Sequence, residues 1–111
     1  MTPAAQFSVH RSPTRSAARP LVLILQANDF ARMPTRLVAP LIRPDALPQL
    51  GRDHPRIAPL LTVQGEGYVL NPFDLATLGV SRLGEFITSF ADDEDAKRRI
   101  QDALDAVLKP Y

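Results

Sequence analysis

Two apolar runs that lie close together in the chain limit the possible folds more than any other feature. They are Leu21–Leu25 and Leu37–Leu41, joined by a connection that contains Asn28, Asp29 and Pro34. Each run is too short for a stable helix, and a short apolar run between turn signals is typical of a strand buried on both faces. Asn and Asp side chains bond nearby backbone in turns, and proline has no N–H for a sheet. The stretch therefore predicts a strand, a connection and a second strand.

Further short strands and turns are predicted on both sides of this stretch. Ser12–Pro20 is a polar loop that would close a wide hairpin onto Leu21, and Gln64–Gly67 is a glycine-rich connection between two apolar runs. A turn is expected at Gly84, and one helical turn around Asp45–Leu47. Phe73–Leu78 carries no pattern that assigns it a structure. Alternating or short apolar runs predict the remaining strands, at Gln6–Arg11, Leu60–Val63, Tyr68–Leu70 and Phe86–Phe90.

The end of the chain predicts an amphipathic helix from about Asp92 to Leu108. Its apolar residues follow helical spacing, at Ile100, Ala103, Leu104, Val107 and Leu108. The acidic cluster Asp92–Asp95 precedes them, where negative charge complements a helix N-terminus and an Asp can cap it. Ion pairs four residues apart are expected for Asp93/Lys97, Glu94/Arg98 and Asp95/Arg99. Short strands followed by one helix predict a mainly β or α+β fold, with the helix covering a strongly bent sheet.

Size and composition are those of one domain that spans residues 1–111. Apolar residues make up 45% and charged residues 23%, as in ordinary soluble proteins. The longest apolar run is too short to cross a bilayer, and Met1–Ala5 lacks the features of a signal peptide. There is no cysteine, and the eleven prolines argue against a helical bundle. These features predict a cytoplasmic protein.

The charge of the chain is distributed unevenly. Residues 1–60 carry eight arginines against three acidic residues, a balance of +5, whereas residues 61–111 have five basic and nine acidic residues, a balance of −4. A basic half can bind nucleic acid or an acidic partner, although differently charged solvated faces are the simpler interpretation. Two tyrosines and no tryptophan leave little for base stacking. A phosphate-binding patch would have to come from Arg11, Arg15, Arg19, Arg32 and Arg36.

No catalytic or metal-binding motif is recognisable. His10 and His54 are the only histidines, and neither has the spacing of a metal site. His10 is expected to face solvent from an alternating strand. Consecutive positions point around a helix, so Asp92–Asp95 is better explained by helix capping than by cation binding. Neither a GxSxG elbow nor a phosphate-binding loop occurs. Protein–protein interaction is the function class that remains.

Several segments together resemble the CcdB family of bacterial plasmid maintenance toxins, which target DNA gyrase. The most specific is Met33–Leu41, similar to the family pattern P-T-R-x-V-x-P-L. The other matching segments, in chain order, are Gln6–Val9, Leu21–Gln26, Pro59–Val63, Glu66–Tyr68, Asp74–Ala76 and Leu83–Glu85. The signature positions, which the resemblance suggests are structural, are Pro34, Thr35, Arg36, Pro40, Leu41, Asp74, Gly84 and Glu85.

The resemblance implies an SH3-like barrel with a C-terminal helix, assembled as a homodimer. It implies a toxin that traps gyrase by binding the gyrase A subunit, and a cognate antitoxin whose disordered C-terminal segment wraps the toxin. It implies neither catalysis nor a cofactor or metal. An acidic antitoxin segment would suit the basic half of the chain. Met1–Ala5 precedes the usual start of the family and is expected to be a flexible tail.

The chain departs from the family at its C-terminus. The Trp-Gly-Ile type of end that contacts gyrase is replaced by Lys109, Pro110 and Tyr111. Buried aromatic anchors often contribute about 2 kcal/mol or more to an interface, so this replacement should weaken the gyrase contact unless Tyr111 takes over. Two alternatives stay open: a diverged binding module that no longer poisons gyrase, and an endoribonuclease on the same barrel fold. The latter would need basic residues such as Arg15, Arg19 and Arg36 to bind RNA.

Overall fold

The structure, a computed structural model, describes residues 4–14, 16–46 and 53–108. Short 3-10 turns lie at Asn28–Phe30, Pro44–Ala46 and Val80–Arg82. In chain order the strands and the C-terminal helix are β1 (Ser8–Arg11), β2 (Leu21–Ile24), β3 (Thr35–Ile42), β4 (Leu60–Val63), β5 (Glu66–Leu70), β6 (Ala76–Gly79), β7 (Phe86–Ser89) and α1 (Glu94–Leu108). All strand pairs are antiparallel and form one curled sheet, a half-barrel. The predicted mainly β or α+β, barrel-like fold with a C-terminal helix is confirmed.

Strand β3 is the centre of the sheet because it pairs with three other strands. Along one edge it pairs with β2, from Leu21 opposite Leu41 to Ile24 opposite Val38. Its other edge is shared: the first half pairs with β6 and the last two residues pair with β5. The strand order is β4-β5-β3-β2-β1-β7, with β6 beside β3. The second apolar run of the predicted strand pair thus organises the whole sheet.

Pro40 lies inside β3, at the one place where its missing N–H costs little. Its carbonyl oxygen accepts a hydrogen bond of 3.1 Å from the N–H of Asn71, just after β5. In an antiparallel strand the N–H and C=O of a residue point to the same edge, so the nitrogen of Pro40 also faces this edge. On this edge of β3, the pairing with β6 stops at Val38 and the pairing with β5 starts at Leu41. No neighbouring strand therefore needs a donor from Pro40.

Strand β2 is buried on both faces, as its unbroken apolar run predicts. Leu21 and Leu23 point into the main core beneath α1, whereas Val22 and Ile24 belong to a smaller cluster on the opposite face. The main core also includes Val9, Ala39, Leu41, Leu61, Val63, Tyr68, Leu70, Phe90, Ala96, Ile100 and Ala103. Each fully buried aliphatic side chain contributes about 1.5–3 kcal/mol through its removal from water.

Helix α1 begins at Glu94, two residues later than predicted, because Asp93 is its N-cap. The carboxylate of Asp93 accepts a hydrogen bond of 3.0 Å from the backbone N–H of Ala96, and Asp93 is therefore not paired with Lys97 as predicted. Ion pairs form instead between Glu94 and Lys97 (3.1 Å) and between Asp95 and Arg98 (2.8 Å), three residues apart. The predicted pair Asp95–Arg99 is present at 3.6 Å.

The apolar stripe of α1 packs on the sheet through part of its length. Ile100 and Ala103 are fully buried, as is Ala96 one turn earlier, and Leu104 is partly buried against the same core. Leu108 at the end of the helix is 61% exposed, so the prediction that it faces the core is wrong. Within the described residues, none of the helices is both long and apolar enough to span a membrane.

The predicted β4–β5 hairpin is present with a tighter turn. Only Gln64 and Gly65 form the connection, and Glu66 already pairs with Val63. Both turn residues have positive φ, 50° for Gln64 and 82° for Gly65, as the two-residue turns that match strand twist require. The predicted four-residue connection was therefore too long, because Glu66 and Gly67 belong to β5.

Local details differ from the expectations at several positions. Phe7 has a φ of 68°, so β1 starts only at Ser8 rather than at Gln6. The side chain of Asn28 accepts a hydrogen bond from the N–H of Gln6 (2.8 Å) rather than from its own turn. The unassigned segment after Phe73 contains β6, which forms by pairing with β3. Leu47, the end of the helical turn expected from Asp45, lies outside the described residues, and the turn present is Pro44–Ala46.

Candidate functional site

Arg36 is a buried structural residue and not part of a phosphate-binding surface. It is 3% exposed, and its guanidinium donates hydrogen bonds to carbonyl oxygens of the connection that precedes β3 and of the N-terminal segment. Acceptors of its hydrogen bonds include the carbonyl oxygens of Ala4 (3.1 Å), Ala31 (3.0 Å), Met33 (2.6 Å) and Thr35 (2.9 Å). Side chains alternate along β3, and the position of Arg36 points it at this connection. Arg36 therefore fixes the course of the chain into the central strand.

The neighbouring signature positions also hold this region together. The carbonyl oxygen of Pro34 accepts a hydrogen bond of 2.8 Å from the N–H of Val80, just after β6. The carbonyl oxygen of Thr35 accepts from both Arg36 and the side chain of Gln26. Leu41 is fully buried in the main core. The segment that most resembles the family pattern thus places β3 against β2, β5 and β6.

The remaining signature positions tie loops to the arginines of the first half. Asp74 forms an ion pair with Arg19, and Glu85 forms one with Arg11 at 3.3 Å. All four side chains are largely exposed, so each pair contributes little stability. The backbone N–H of Gly84 donates a hydrogen bond of 3.0 Å to the carbonyl oxygen of Arg11, which brings these two segments of the chain into close contact.

The predicted arginine patch is not assembled among the described residues. Arg11 and Arg19 face different carboxylates, Glu85 and Asp74, and Arg36 is buried away from both. Arg32 is exposed in the connection before β3, and Arg15 lies outside the described residues. Arg36, one of the basic residues suggested for RNA binding in the endoribonuclease alternative, is therefore not available for it, because its guanidinium is buried against carbonyl oxygens.

A different set of polar residues meets at one end of the half-barrel, in what we term the strand-end cavity. This cavity of about 260 Å³ is lined by Arg11, Leu21, Arg43, Val63, Gln64, Glu66, Tyr68 and Ile87. Strands β1 and β3 end here, β2 begins here, and the β4–β5 turn lies beside them. In an antiparallel sheet, alternate strand ends come together at one side. Residues far apart in sequence therefore surround one small space.

Hydrogen bonds and one ion pair orient the charged side chains around the strand-end cavity. The phenol of Tyr68 donates to a carboxylate oxygen of Glu66 at 3.2 Å. The Nε of Arg43 donates to the carbonyl oxygen of Ala17 at 2.9 Å, and Arg11 is held by its ion pair with Glu85. The cavity combines two guanidinium groups, one carboxylate and one phenol, which is a site for a ligand with both an anionic and a hydrogen-bond-donating group.

Burial raises the pKa of the Tyr68 phenol above its ordinary value of 10.0. The hydrogen bond to Glu66 and the negative charge of that carboxylate raise it further, while the positive charges of Arg43 and Arg11 act in the opposite direction. Tyr68 is only 9% exposed. It is therefore neutral at physiological pH and serves as a hydrogen-bond donor.

Arg43, Glu66 and Tyr68 were not among the residues predicted for a site. Arg43 follows the second apolar run, and Glu66 and Tyr68 belong to the predicted hairpin, where Glu66 was assigned to the connection. The available signal was topological: polar residues at strand ends that an antiparallel sheet brings to the same side. Without the strand order, nothing in the sequence places these three side chains beside Arg11.

His10 is buried, so the prediction that it faces solvent is wrong. It is 8% exposed because β1 lies between β2 and β7, and Phe86 packs edge-on against it at 5.7 Å between ring centroids. Its Nε2 lies 3.1 Å from the Ser8 hydroxyl and its Nδ1 lies 3.3 Å from the carbonyl oxygen of Gly84. The ring is thus a packed internal group. In the described ranges, no three or more His, Cys, Asp or Glu side chains are grouped to hold a metal ion.

The C-terminal residues predicted to contact gyrase, Lys109, Pro110 and Tyr111, lie outside the described residues. The structure does place the helix that leads to them, because Ile100 and Ala103 fix α1 on the core. Other large apolar side chains are exposed on the described surface and available to protein partners. They are Phe30, Met33, Leu37, Leu60, Phe73, Phe86 and Leu108.

Two solved structures share this fold along the whole chain. One is an endoribonuclease in complex with its cognate antitoxin, from a mycobacterial species, with a TM-score of 0.73 and 18% sequence identity, covering 100% of this chain and 99% of the other. The second is an endoribonuclease from a mycobacterial species, with a TM-score of 0.73, 17% identity and coverage of 100% and 97%. At this identity the likeness establishes the fold alone. Among curated proteins, none matches the sequence.

The sequence itself gives the family. The family model described as CcdB protein matches residues 6–109, which is nearly the whole chain and includes every strand and α1. The chain therefore belongs to the CcdB family, and with it to the toxins of toxin–antitoxin modules.

Proposed function

We propose that the protein is the toxin of a type II toxin–antitoxin module and inhibits DNA gyrase by binding the gyrase A subunit. The observation that carries this proposal is the match to the CcdB family over residues 6–109. The described residues fit a binding protein, since their polar groups tie the fold together through Arg36 and its carbonyl partners. A protein that acts by binding needs exposed apolar anchors, and the described surface offers several.

The proposed gyrase contact is the end of the chain after α1. The buried residues Ile100 and Ala103 anchor this helix, and Leu108 at its end is 61% exposed. Lys109 and Pro110 then stand where the family has a tryptophan and a glycine. In this proposal, Leu108 and Tyr111 supply the apolar contact that the family tryptophan supplies elsewhere, at the cost of a lower affinity for gyrase.

The proposed assembly is a cytoplasmic homodimer neutralised by a cognate antitoxin with a disordered, acidic C-terminal segment. The basic balance of residues 1–60 favours an acidic partner. The exposed apolar side chains Phe30 and Met33 (59% and 53% exposed), in the connection before β3, suit either a second copy or the antitoxin. A structural neighbour is a toxin bound to its cognate antitoxin, which supports a partner of this kind.

The test is a cleavage assay with purified gyrase and supercoiled DNA. We expect the protein to stabilise the cleaved complex, and expect Tyr111→Ala and Leu108→Ala to reduce this effect. Phe73→Ala removes an exposed aromatic outside α1 and serves as the matched control. Absence of a stabilised complex at micromolar protein would reject gyrase as the target. Growth arrest relieved by the product of an adjacent antitoxin gene would still identify a toxin.

Two other functions are separated by the same set of assays. A diverged binding module that keeps the fold, dimer and antitoxin but does not poison gyrase predicts unchanged growth on expression and a co-purifying partner. An RNA-cleaving toxin is the second candidate, favoured by structural neighbours that are endoribonucleases and by Arg11, Arg43 and Glu66 around one cavity. This candidate predicts that the protein cleaves RNA and that the substitution Glu66→Gln reduces the cleavage. A catalytically inert protein, purified in the same way, is the control for contaminating ribonuclease.

A further inference from the structure

The strand-end cavity is a built polar site that the gyrase proposal does not use. It lies between the ends of β1 and β3 and the β4–β5 turn, and no residue of α1 lines it. Its floor includes Leu21 and Tyr68, which are 4% and 9% exposed. Side chains on rigid strand ends around a buried floor are more fixed than side chains on a free loop. The cavity therefore combines a buried floor with the exposed charged side chains of Arg11, Arg43 and Glu66 at its rim.

Two guanidinium groups make the strand-end cavity attractive to an anion. Arg11 and Arg43 both line it, and both act electrostatically on the Tyr68 phenol. Each is oriented through its Nε, Arg11 by Glu85 and Arg43 by the carbonyl oxygen of Ala17. A guanidinium has five N–H donors in a fixed fork, so these contacts leave the terminal nitrogens to bind a ligand. Paired arginines match a phosphate group particularly well because each can bind two oxygens.

Glu66 restricts which anionic ligand fits. Its carboxylate accepts from the Tyr68 phenol at 3.2 Å and retains further acceptor capacity toward the cavity. Glu66 opposes any anion placed directly beside it, and a ligand that presents only carboxylates offers no hydrogen-bond donor to offset this repulsion. A nucleotide brings a phosphate for the arginines and also hydroxyl and amine donors for Glu66. The neutral phenol of Tyr68 adds a polar group without negative charge.

We propose that the strand-end cavity binds one nucleotide of single-stranded RNA. Arg11 and Arg43 hold its phosphate, and the Glu66 carboxylate accepts from the ribose 2′-hydroxyl, the group that distinguishes RNA from DNA. The volume of about 260 Å³ lies just below the range of small-molecule pockets, about 300–1,000 Å³, so the cavity holds the phosphate and ribose of one nucleotide and leaves its base at the rim. The proposal concerns binding alone and does not depend on gyrase inhibition or on RNA cleavage.

The experiment measures binding of a labelled single-stranded oligoribonucleotide and of the deoxyribonucleotide of the same sequence by fluorescence anisotropy. We expect RNA to bind at least tenfold more tightly than DNA. Arg43→Gln and Arg11→Gln should each weaken binding about tenfold and flatten its salt dependence. Glu66→Gln should reduce the preference for RNA over DNA. Arg82→Gln removes an exposed arginine outside the cavity and should change affinity less than twofold.

Several outcomes would overturn the proposal. Equal affinity for RNA and DNA removes the role of Glu66, and affinity that survives both arginine substitutions places RNA elsewhere on the surface. An acidic peptide that binds the cavity at concentrations too low for RNA to bind would assign the cavity to a protein partner instead. Circular dichroism and thermal unfolding of each variant establish that it is folded. Because Arg11 and Arg43 lie on different elements, the loss of one variant to misfolding leaves the other as the test.

Discussion

Gly84 packs directly against the backbone of Arg11, to which its N–H donates a hydrogen bond of 3.0 Å. A β-carbon at position 84 would stand 2.8 Å from both the Cβ and the carbonyl oxygen of Arg11, closer than such atoms approach in real structures. The segment before β7 can therefore run beside the end of β1 only if residue 84 has no side chain. This explains the glycine at a signature position by space alone.

The substitution Gly84→Ala is expected to destabilise the fold by about 1–3 kcal/mol, because β1 and the segment before β7 must separate to admit a methyl group. The measurement is the midpoint of urea unfolding at unchanged slope. Gly79→Ala is the matched control, since only flexible side chains, at 3.9 and 4.0 Å, lie near a β-carbon there. It should change stability by no more than about 0.5 kcal/mol. Equal effects of the two substitutions would contradict the steric explanation.

The buried guanidinium of Arg36 gives a second prediction. Arg36→Met should cost about 2–4 kcal/mol, because the carbonyl oxygens that surround the buried guanidinium lose their donor. Arg36→Lys should fall between wild type and Arg36→Met, since an ammonium keeps the charge but lacks the wide fork. Arg32→Met, at an exposed position, is the control and should stay within about 0.5 kcal/mol. A harmless Arg36→Met would show that these carbonyls find water instead.

Elements that depend on local pattern could be predicted from the sequence, and elements that depend on a distant partner could not. Strands β2 and β3 follow from their apolar runs, and α1 follows from its stripe and its acidic start. Strand β6 has no such signal, because its residues are exposed or half-buried and it exists through pairing with β3. Strand β5 pairs with only the last two residues of β3, and β6 pairs with the first half of the same edge.

The same distinction separates the candidate sites. The family signature is a local string and could be read directly from the sequence, but the sequence allowed Arg36 to be either a structural signature residue or part of an arginine patch. Its burial depends on carbonyl oxygens from Ala4 and from the connection before β3, which the string does not reveal. The strand-end cavity was missed altogether, because Arg11, Arg43 and Glu66 meet only when the strand order is known.

The N-cap of α1 gives a third prediction. Asp93→Ala should destabilise the protein by about 0.5–2 kcal/mol, because the N–H of Ala96 loses its acceptor. Asp93→Asn keeps a capping oxygen and should cost much less. Asp92→Ala removes a neighbouring negative charge without removing the cap, and should change stability by no more than about 0.5 kcal/mol. If thermal unfolding finds Asp92→Ala as costly as Asp93→Ala, then charge rather than capping stabilises the helix start.

The raised pKa of Tyr68 gives a fourth prediction, about alkaline pH. The phenol stays protonated in the folded protein at a pH where a tyrosine of the unfolded chain, with a pKa near 10.0, already ionises. The contribution of Tyr68 is therefore fully present below pH 10 and is lost as the pH rises through the folded pKa. The free energy of unfolding should fall above about pH 10 more steeply for wild type than for Tyr68→Phe, which cannot ionise.

Urea unfolding between pH 8 and about 11.5 measures this difference directly, with Tyr68→Phe as the reference that cancels every other titrating group. Glu66→Gln provides the test of cause. It removes the carboxylate that accepts from the phenol but leaves the burial of Tyr68, which is the largest cause of the raised pKa. In this variant, the free energy of unfolding should therefore begin to fall at the same pH as in wild type but should fall over a narrower pH range. If the free energies of unfolding of wild type and Tyr68→Phe change in parallel over the whole pH range, then Tyr68 ionises in the folded protein as it does in the unfolded chain.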